Sequence, residues 1–257
     1  MTSPPGAEFT VHLPTSPGEL DQDEEFCTVE IRGERRRVRF HEYGEIYQVP
    51  GLYEHLFYDL LGCTSPSVVT SLLAAELRVA GVDPASLVAL DFGAGNGMVG
   101  ERLWNLGVPV IVGIDLLEQA RAAAQRDRPD VYEDYLAADV TALCDADRER
   151  LGRWTFTCLT CVAALGFDDV PPPAFAAVFN LLAPSGWLAF NIRARFAATA
   201  SDETGFSALL RRMSREGVVR ELARTRYTHR RSVTGEALPY VAVIARKQRD
   251  IPPDWLD

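Results

Sequence analysis

The stretch Leu87-Val-Ala-Leu-Asp-Phe-Gly-Ala-Gly-Asn-Gly-Met-Val-Gly-Glu-Arg102 decides the fold of this 257-residue chain. A short apolar run breaks into glycines and then resumes with helical spacing, which reads as a strand, a tight turn and a helix N-terminus. Gly93, Gly95 and Gly97 tolerate positive φ and carry no Cβ. The backbone can therefore approach a ligand closely while the turn aims amide N–H groups at it. A nucleoside-type cofactor is the guest this arrangement suits.

Two further runs sharpen the reading. Val108-Pro-Val-Ile-Val-Gly-Ile114 ends in Asp115, 20 residues after Gly95. An acid at the tip of the second strand of an α/β nucleotide fold accepts both hydroxyls of a ribose cis-diol. Tyr135-Leu-Ala-Ala138 ends in Asp139, where a carboxylate can accept from an exocyclic amine such as that of adenine. Asp139 also suits a helix N-cap.

Asp91-Phe-Gly-Ala-Gly-Asn-Gly97, Gly113-Ile-Asp115, Ala138-Asp139 and Leu182-Ala-Pro-Ser-Gly-Trp-Leu188 resemble, in order and spacing, the successive motifs of class I S-adenosylmethionine-dependent methyltransferases. The resemblance spans about residues 67 to 247. It implies that Asp91 lies near the methionine amine and that Gly93, Ala94, Gly95 and Gly97 pass under the methionine and ribose. It further implies that Asp115 holds the ribose, that Leu116 next to it also contacts the cofactor, that Asp139 and Val140 hold the adenine, and that the backbone of Cys161 lines the cofactor. S-adenosylmethionine would be the cofactor and S-adenosylhomocysteine the product.

Gly95-Asn-Gly-Met-Val-Gly100 also satisfies G-x-G-x-x-G, so a nicotinamide-dependent dehydrogenase stays open, with Asp115 on its ribose. Against it stand the Asp139 tip and the Leu-x-Pro-Ser-Gly-Trp approach to a fifth strand. A third reading keeps the scaffold and the cofactor but replaces methyl transfer by a non-methylating cyclisation or by ligand sensing.

The fold expected is α/β, a Rossmann-like seven-stranded sheet in the order 3-2-1-4-5-7-6 with helices on both faces and an N-terminal lid. Residues 1–25, rich in Pro, Ser, Thr, Gly and acids, read as a mobile tail. Residues 26–64 read as a hairpin and helical lid, and 65–257 as the core. Cys27 to Phe40 alternates on both sides of Arg32-Gly-Glu-Arg35, a hairpin whose arginines suit an exposed, solubilising face. Pro50 to Leu61 reads as a helix, and Ser65 or Ser67 starts another that runs through Ala80. Further helices are expected to Leu106, over Glu118–Arg126 and near Ala146–Leu151, with another starting at Pro171, where Asp168 and Asp169 complement its positive end. The last two strands fall at about Val218–His229 and Leu238–Lys247.

Between hairpin and core, His41 to Tyr58 is dense in aromatics. In methyltransferases with similar N-terminal segments such residues close over the cofactor, which makes Tyr43 and Tyr47 lid residues, because a sulfonium attracts aromatic faces and a phenol can bond a carboxylate. Tyr53, Phe57 and Tyr58 have the spacing of core packing. On the acceptor side the strand tips nominate Asn191, Arg193 and Arg195, then Tyr227, His229 and Arg230. His229 is the general-base candidate because its reference pKa lies near neutrality, and Arg193 and Tyr47 join it as catalytic candidates. Thr160-Cys-Val-Ala-Ala-Leu165, at the fourth tip, lacks the Asn-Pro-Pro-Tyr pattern associated with methylation of planar amines. Alignment of nucleophile and sulfonium can supply much of the rate without a strong base.

Composition bounds the rest. Residues 191–257 carry 13 basic and 8 acidic side chains, against 13 and 28 in the first 190, for a net charge of -10. So acidic a chain disfavours a nucleic-acid track, and Arg211, Arg212 and Arg215 on a predicted helix suit a solvated face. No run reaches a membrane span and no signal pattern opens the chain, so a cytoplasmic protein acting on a small molecule is expected. Five cysteines read as free thiols. Cys158 and Cys161 sit three apart on a predicted strand, hence on opposite faces, which argues against a shared metal. Lys247, the sole lysine, falls at the end of the last strand.

Overall fold

The computed structural model describes residues 3, 8–14, 22, 24–165, 170–198 and 204–256. Asp168 and Asp169, read as helix-capping acids, lie outside them. The chain divides into two compact units, Met1–Thr64 with Thr228–Pro239, and Ser65–Tyr227 with Tyr240–Asp257.

The first unit is built on an antiparallel sheet of β1 (Phe9–His12), β2 (Phe26–Ile31) and β3 (Glu34–Arg39), in that order. The expected hairpin is β2–β3, closed by Arg32 at φ +52° and Gly33 at φ +84°, two left-handed residues whose twist matches that of the strands. Its arginines are outward. Arg35 pairs with Glu30 at 2.8 Å, Arg36 with Glu45 at 2.7 Å, and Arg37 lies over the Phe26 ring.

β1 sets Phe9–His12, inside the stretch read as a tail, in a strand. Phe9-Thr-Val-His12 alternates, and Phe9 and Val11 are buried against β2 partners. Helix α1 (Tyr43–Tyr47) and α2 (Leu52–Glu54) follow. The single helix expected over Pro50–Leu61 instead widens after α2 into a π-helix, His55–Leu60, where Leu61 N donates to Leu56 O. Such widening is frequent at functional positions. In the same unit Arg230, buried over Phe40 and Phe57, donates to Glu25 at 2.5 Å, and Glu25 also accepts from Val233 N.

The second unit opens with α3 (Ser65–Val79) and then alternates: β4 (Val88–Phe92), α4 (Met98–Leu106), β5 (Val110–Asp115), α5 (Glu118–Asp127), β6 (Asp134–Ala137), α6 (Asp145–Gly152), β7 (Phe156–Cys161), α7 (Pro172–Leu181) and β8 (Leu182–Arg193). Two short helices, α8 (Ala194–Ala198) and α9 (Phe206–Arg215), precede β9 (Val219–Arg231) and β10 (Ala237–Lys247), whose connecting end belongs to the first unit. The sheet runs β6-β5-β4-β7-β8-β10-β9. Counted from β4, that is the order 3-2-1-4-5-7-6. β4 to β8 are parallel, and β10 pairs antiparallel with β8.

Period-two alternation sorts the core onto two faces. Leu90, Phe92, Leu159 and Phe190 pack with α6, α7 and α9, whereas Ala89, Trp187 and Ala189 pack with α3 and α4. Cys161 belongs to the first face and Cys158 to the second, both wholly buried, and burial pushes the Cys158 thiol up to about 12. Lys247 is buried too. Its ammonium donates to the carbonyls of Phe179, Asn180 and Leu182 at the end of α7 and pairs with Asp250 at 2.6 Å.

Candidate functional site

The turn between β4 and α4 lies at the C-terminal end of the sheet, where β5 and β6 stand on one side of β4 and β7 and β8 on the other. Such a reversal of strand order opens a crevice that receives ligands. Gly93, Gly95 and Gly97 take φ of +71°, +55° and +92°, which justifies glycine at all three. Gly93 N and Ala94 N both donate to Ile114 O, fastening the turn to the tip of β5.

Asp115, at that tip, is drawn onto the same turn. Its Oδ2 accepts from Gly95 N at 2.9 Å and its Oδ1 from Leu117 N at 3.0 Å. Leu116, beside it, is 64% exposed, an apolar surface open to a ring. Asp139 is exposed and accepts from Thr141 Oγ1 at 2.7 Å and Thr141 N at 2.8 Å. Those bonds hold its carboxyl below the usual range, so it both shapes a turn and presents an anion at the tip of β6. Val140 and Cys161 are buried.

Asp91 is the acid that the resemblance sets near the methionine amine. It is 1% exposed, and its oxygens accept from Thr160 Oγ1 at 2.7 Å and Tyr132 Oη at 2.8 Å. Burial outweighs those bonds and raises its carboxyl to about 6. The residue braces the turn from beneath.

Two tyrosines that the sequence did not single out complete that brace. Tyr132 lies under α4, where a Cβ on Gly100 would come within 2.5 Å of its ring carbon and hydroxyl, and one on Gly97 within 3.0 Å of the ring. Tyr135 donates to Gly95 O at 2.7 Å and fills the space beside Gly113. The two rings meet edge to face at 5.2 Å. Arg128 adds a bond to Asn96 O at 3.0 Å. The available signal was glycine inside regular structure, Gly100 in a helix and Gly113 in a strand, which marks close approach by something bulky.

The remaining candidates divide between the units. Arg193 ends β8 in the second, half-buried, with its guanidinium 5.8 Å from the Phe196 ring centre. Tyr43, Tyr47 and His229 belong to the first. Tyr43 stacks on Tyr47 at 6.2 Å, and Tyr47 meets Tyr53 at 5.0 Å, so the lid candidates share one aromatic cluster with the residues read as core. His229 is buried, its Nδ1 3.7 Å from Cys63 Sγ. Among the described residues no group of three or more His, Cys, Asp or Glu is placed to hold a metal ion, and no single helix is long and apolar enough to cross a membrane.

Residues 90–190 match the family model of a methyltransferase domain. No curated protein matches the chain in sequence. Among solved structures it is similar to the N-methyltransferase NodS from Bradyrhizobium japonicum WM9, in complex with S-adenosyl-L-homocysteine, at 15% identity and a TM-score of 0.54, over 81% of this chain and 97% of that one. It is similar also to magnesium protoporphyrin IX methyltransferase (ChlM) from Synechocystis PCC 6803 with bound S-adenosylmethionine, at 16% identity and a TM-score of 0.50, over 71% and 79% of the two chains. At such identities the likeness is one of fold. The domain match runs from β4 to Phe190 of β8, on a sheet of this order with a glycine turn at the first tip.

Proposed function

We propose that the chain binds S-adenosylmethionine across the tips of β4, β5 and β6 and methylates a small-molecule acceptor, releasing S-adenosylhomocysteine. The observation that carries this reading is the fastening of Asp115 to Gly95 N at 2.9 Å, which makes ribose acid and glycine turn one rigid piece. In it, Asp115 accepts the ribose hydroxyls, Gly93 to Gly97 admit the cofactor without a Cβ in the way, Leu116 and Val140 flank the adenine, Asp139 accepts from its amine, and the Cys161 backbone lines the crevice. The bound cofactor supplies a methyl group already activated by the sulfonium. The protein's part is then mainly alignment and exclusion of water.

Tyr43 and Tyr47 are proposed for the methionine end, and Tyr47, Arg193 and His229 for the acceptor, with His229 handling its proton. Neither neighbour's substrate transfers to this chain, and the net charge of -10 over the whole chain favours a small acceptor over a nucleic acid.

Calorimetry should show S-adenosylmethionine and S-adenosylhomocysteine binding and NAD failing to bind, and S-adenosylhomocysteine should accumulate with a suitable acceptor. Binding of NAD alone would overturn the assignment. Replacing His229 by Gln should slow turnover by roughly 100-fold while sparing cofactor affinity. Unchanged turnover would return the rate to alignment alone.

A further inference from the structure

Just past β7 the chain turns at Ala163, whose φ of +59° is a left-handed conformation that residues bearing a Cβ rarely adopt. The turn is pressed against the glycine loop, since a Cβ built on Gly93 would lie 2.7 Å from that of Ala164. Residues 163 and 164 therefore abut the glycine turn from its β7 side. A strained backbone persists only where its surroundings hold it.

Asn191 does the holding. It lies on β8, wholly buried, and its Oδ1 accepts from Ala163 N at 2.6 Å. An N–H can only donate, so this bond fixes which way the amide faces. Nδ2 is thereby turned toward two hydroxyls, donating to Ser65 Oγ at 3.0 Å and Tyr227 Oη at 2.6 Å, and those hydroxyls are themselves bonded at 2.7 Å. Ser65 starts α3 and Tyr227 lies on β9, so three elements fix the amide and the amide fixes the turn. No contact with a ligand is required of it.

We propose that Asn191 is a positioning residue for the methyl donor, holding Ala163 left-handed so that residues 163–164 wall the methionine end of the cofactor site. This rests on the assignment of that site to S-adenosylmethionine.

The test is calorimetric binding of S-adenosylhomocysteine to the full chain. Asn191→Ala should weaken affinity about ten-fold, and adding Ala163→Gly should restore most of it, because glycine takes the left-handed conformation unaided. A purely structural asparagine would give no such rescue. Unchanged affinity in Asn191→Ala, or weakened affinity that Ala163→Gly leaves weakened, overturns the proposal. Should Asn191→Ala fail to fold, Ala163→Gly and Ala163→Val carry the test. Valine resists positive φ and should lose at least ten-fold where glycine loses nothing, and equal affinities overturn the idea. A wild-type chain that binds no S-adenosylhomocysteine removes the cofactor assignment and this inference together, an outcome distinct from normal wild-type binding with indifferent variants.

Discussion

Two carboxylates at the cofactor turn show how environment assigns different work to one side chain. Asp115 is tied to backbone N–H groups of the turn and its neighbour. Asp115→Ala would remove the ribose bonds proposed for this residue and the two that tie it to the turn. Each charge-assisted bond is worth roughly 1.5–3 kcal/mol, so affinity for S-adenosylmethionine should fall by about 3–5 kcal/mol, measured by titration calorimetry. Asp91 is buried, and its carboxyl is raised from the ordinary 3.8 to about 6. The folded state therefore binds this proton more tightly than the unfolded chain does. The stabilisation is complete below about pH 4 and is lost as pH rises through about 6. Measured by urea unfolding, wild type relative to Asp91→Asn should lose about 3 kcal/mol of stability between those limits, at 1.36 kcal/mol per pH unit. A pH-independent difference would deny Asp91 its buried charge.

At the scale of elements, β4, its turn and α4 were legible because strand period, glycines and helix period change over within sixteen residues, Leu87 to Arg102. Asp115 was legible as well, since a strand tip is a position countable along the chain. What supports the turn was not. Tyr132, Tyr135 and Thr160 reach it from other elements, and nothing local tells a bracing tyrosine from one that only fills the core. Two helix glycines illustrate the point. Gly100→Ala would set a Cβ 2.5 Å from a ring pinned by Asp91, and should cost about 1–3 kcal/mol of unfolding free energy, as overpacking does. Gly152→Ala, in α6 with nothing within 4 Å, should be neutral or stabilising by up to about 1 kcal/mol. Equal effects in chemical denaturation would remove the Tyr132 explanation.

Across the whole molecule, the alternation of strands and helices from residue 88 onward revealed the large sheet, and the resemblance to the methyltransferase fold implied its order. The N-terminal unit was harder to read. β1 is only four residues long in a polar context, and it is defined by pairing with β2 rather than by its own pattern. The ion pair of Glu25 with Arg230 joins residues 205 apart, a relation no local reading supplies. Because both partners are buried, removing one leaves an uncompensated charge. Glu25→Ala should lower stability by about 3–5 kcal/mol, and deletion of residues 1–25 should do at least as much, read as a fall in Tm. A truncated chain that melts with the full one would return residues 1–25 to the status of a tail.

The sealing of Lys247 by three carbonyls at the end of α7 has a practical side. With no other lysine in the chain, the native protein exposes no ε-amine to acylating dyes or cross-linkers. Isotope-coded acylation followed by mass spectrometry of the Lys247 peptide would count molecules in which the end of the last strand has opened, making the chain its own reporter of that opening.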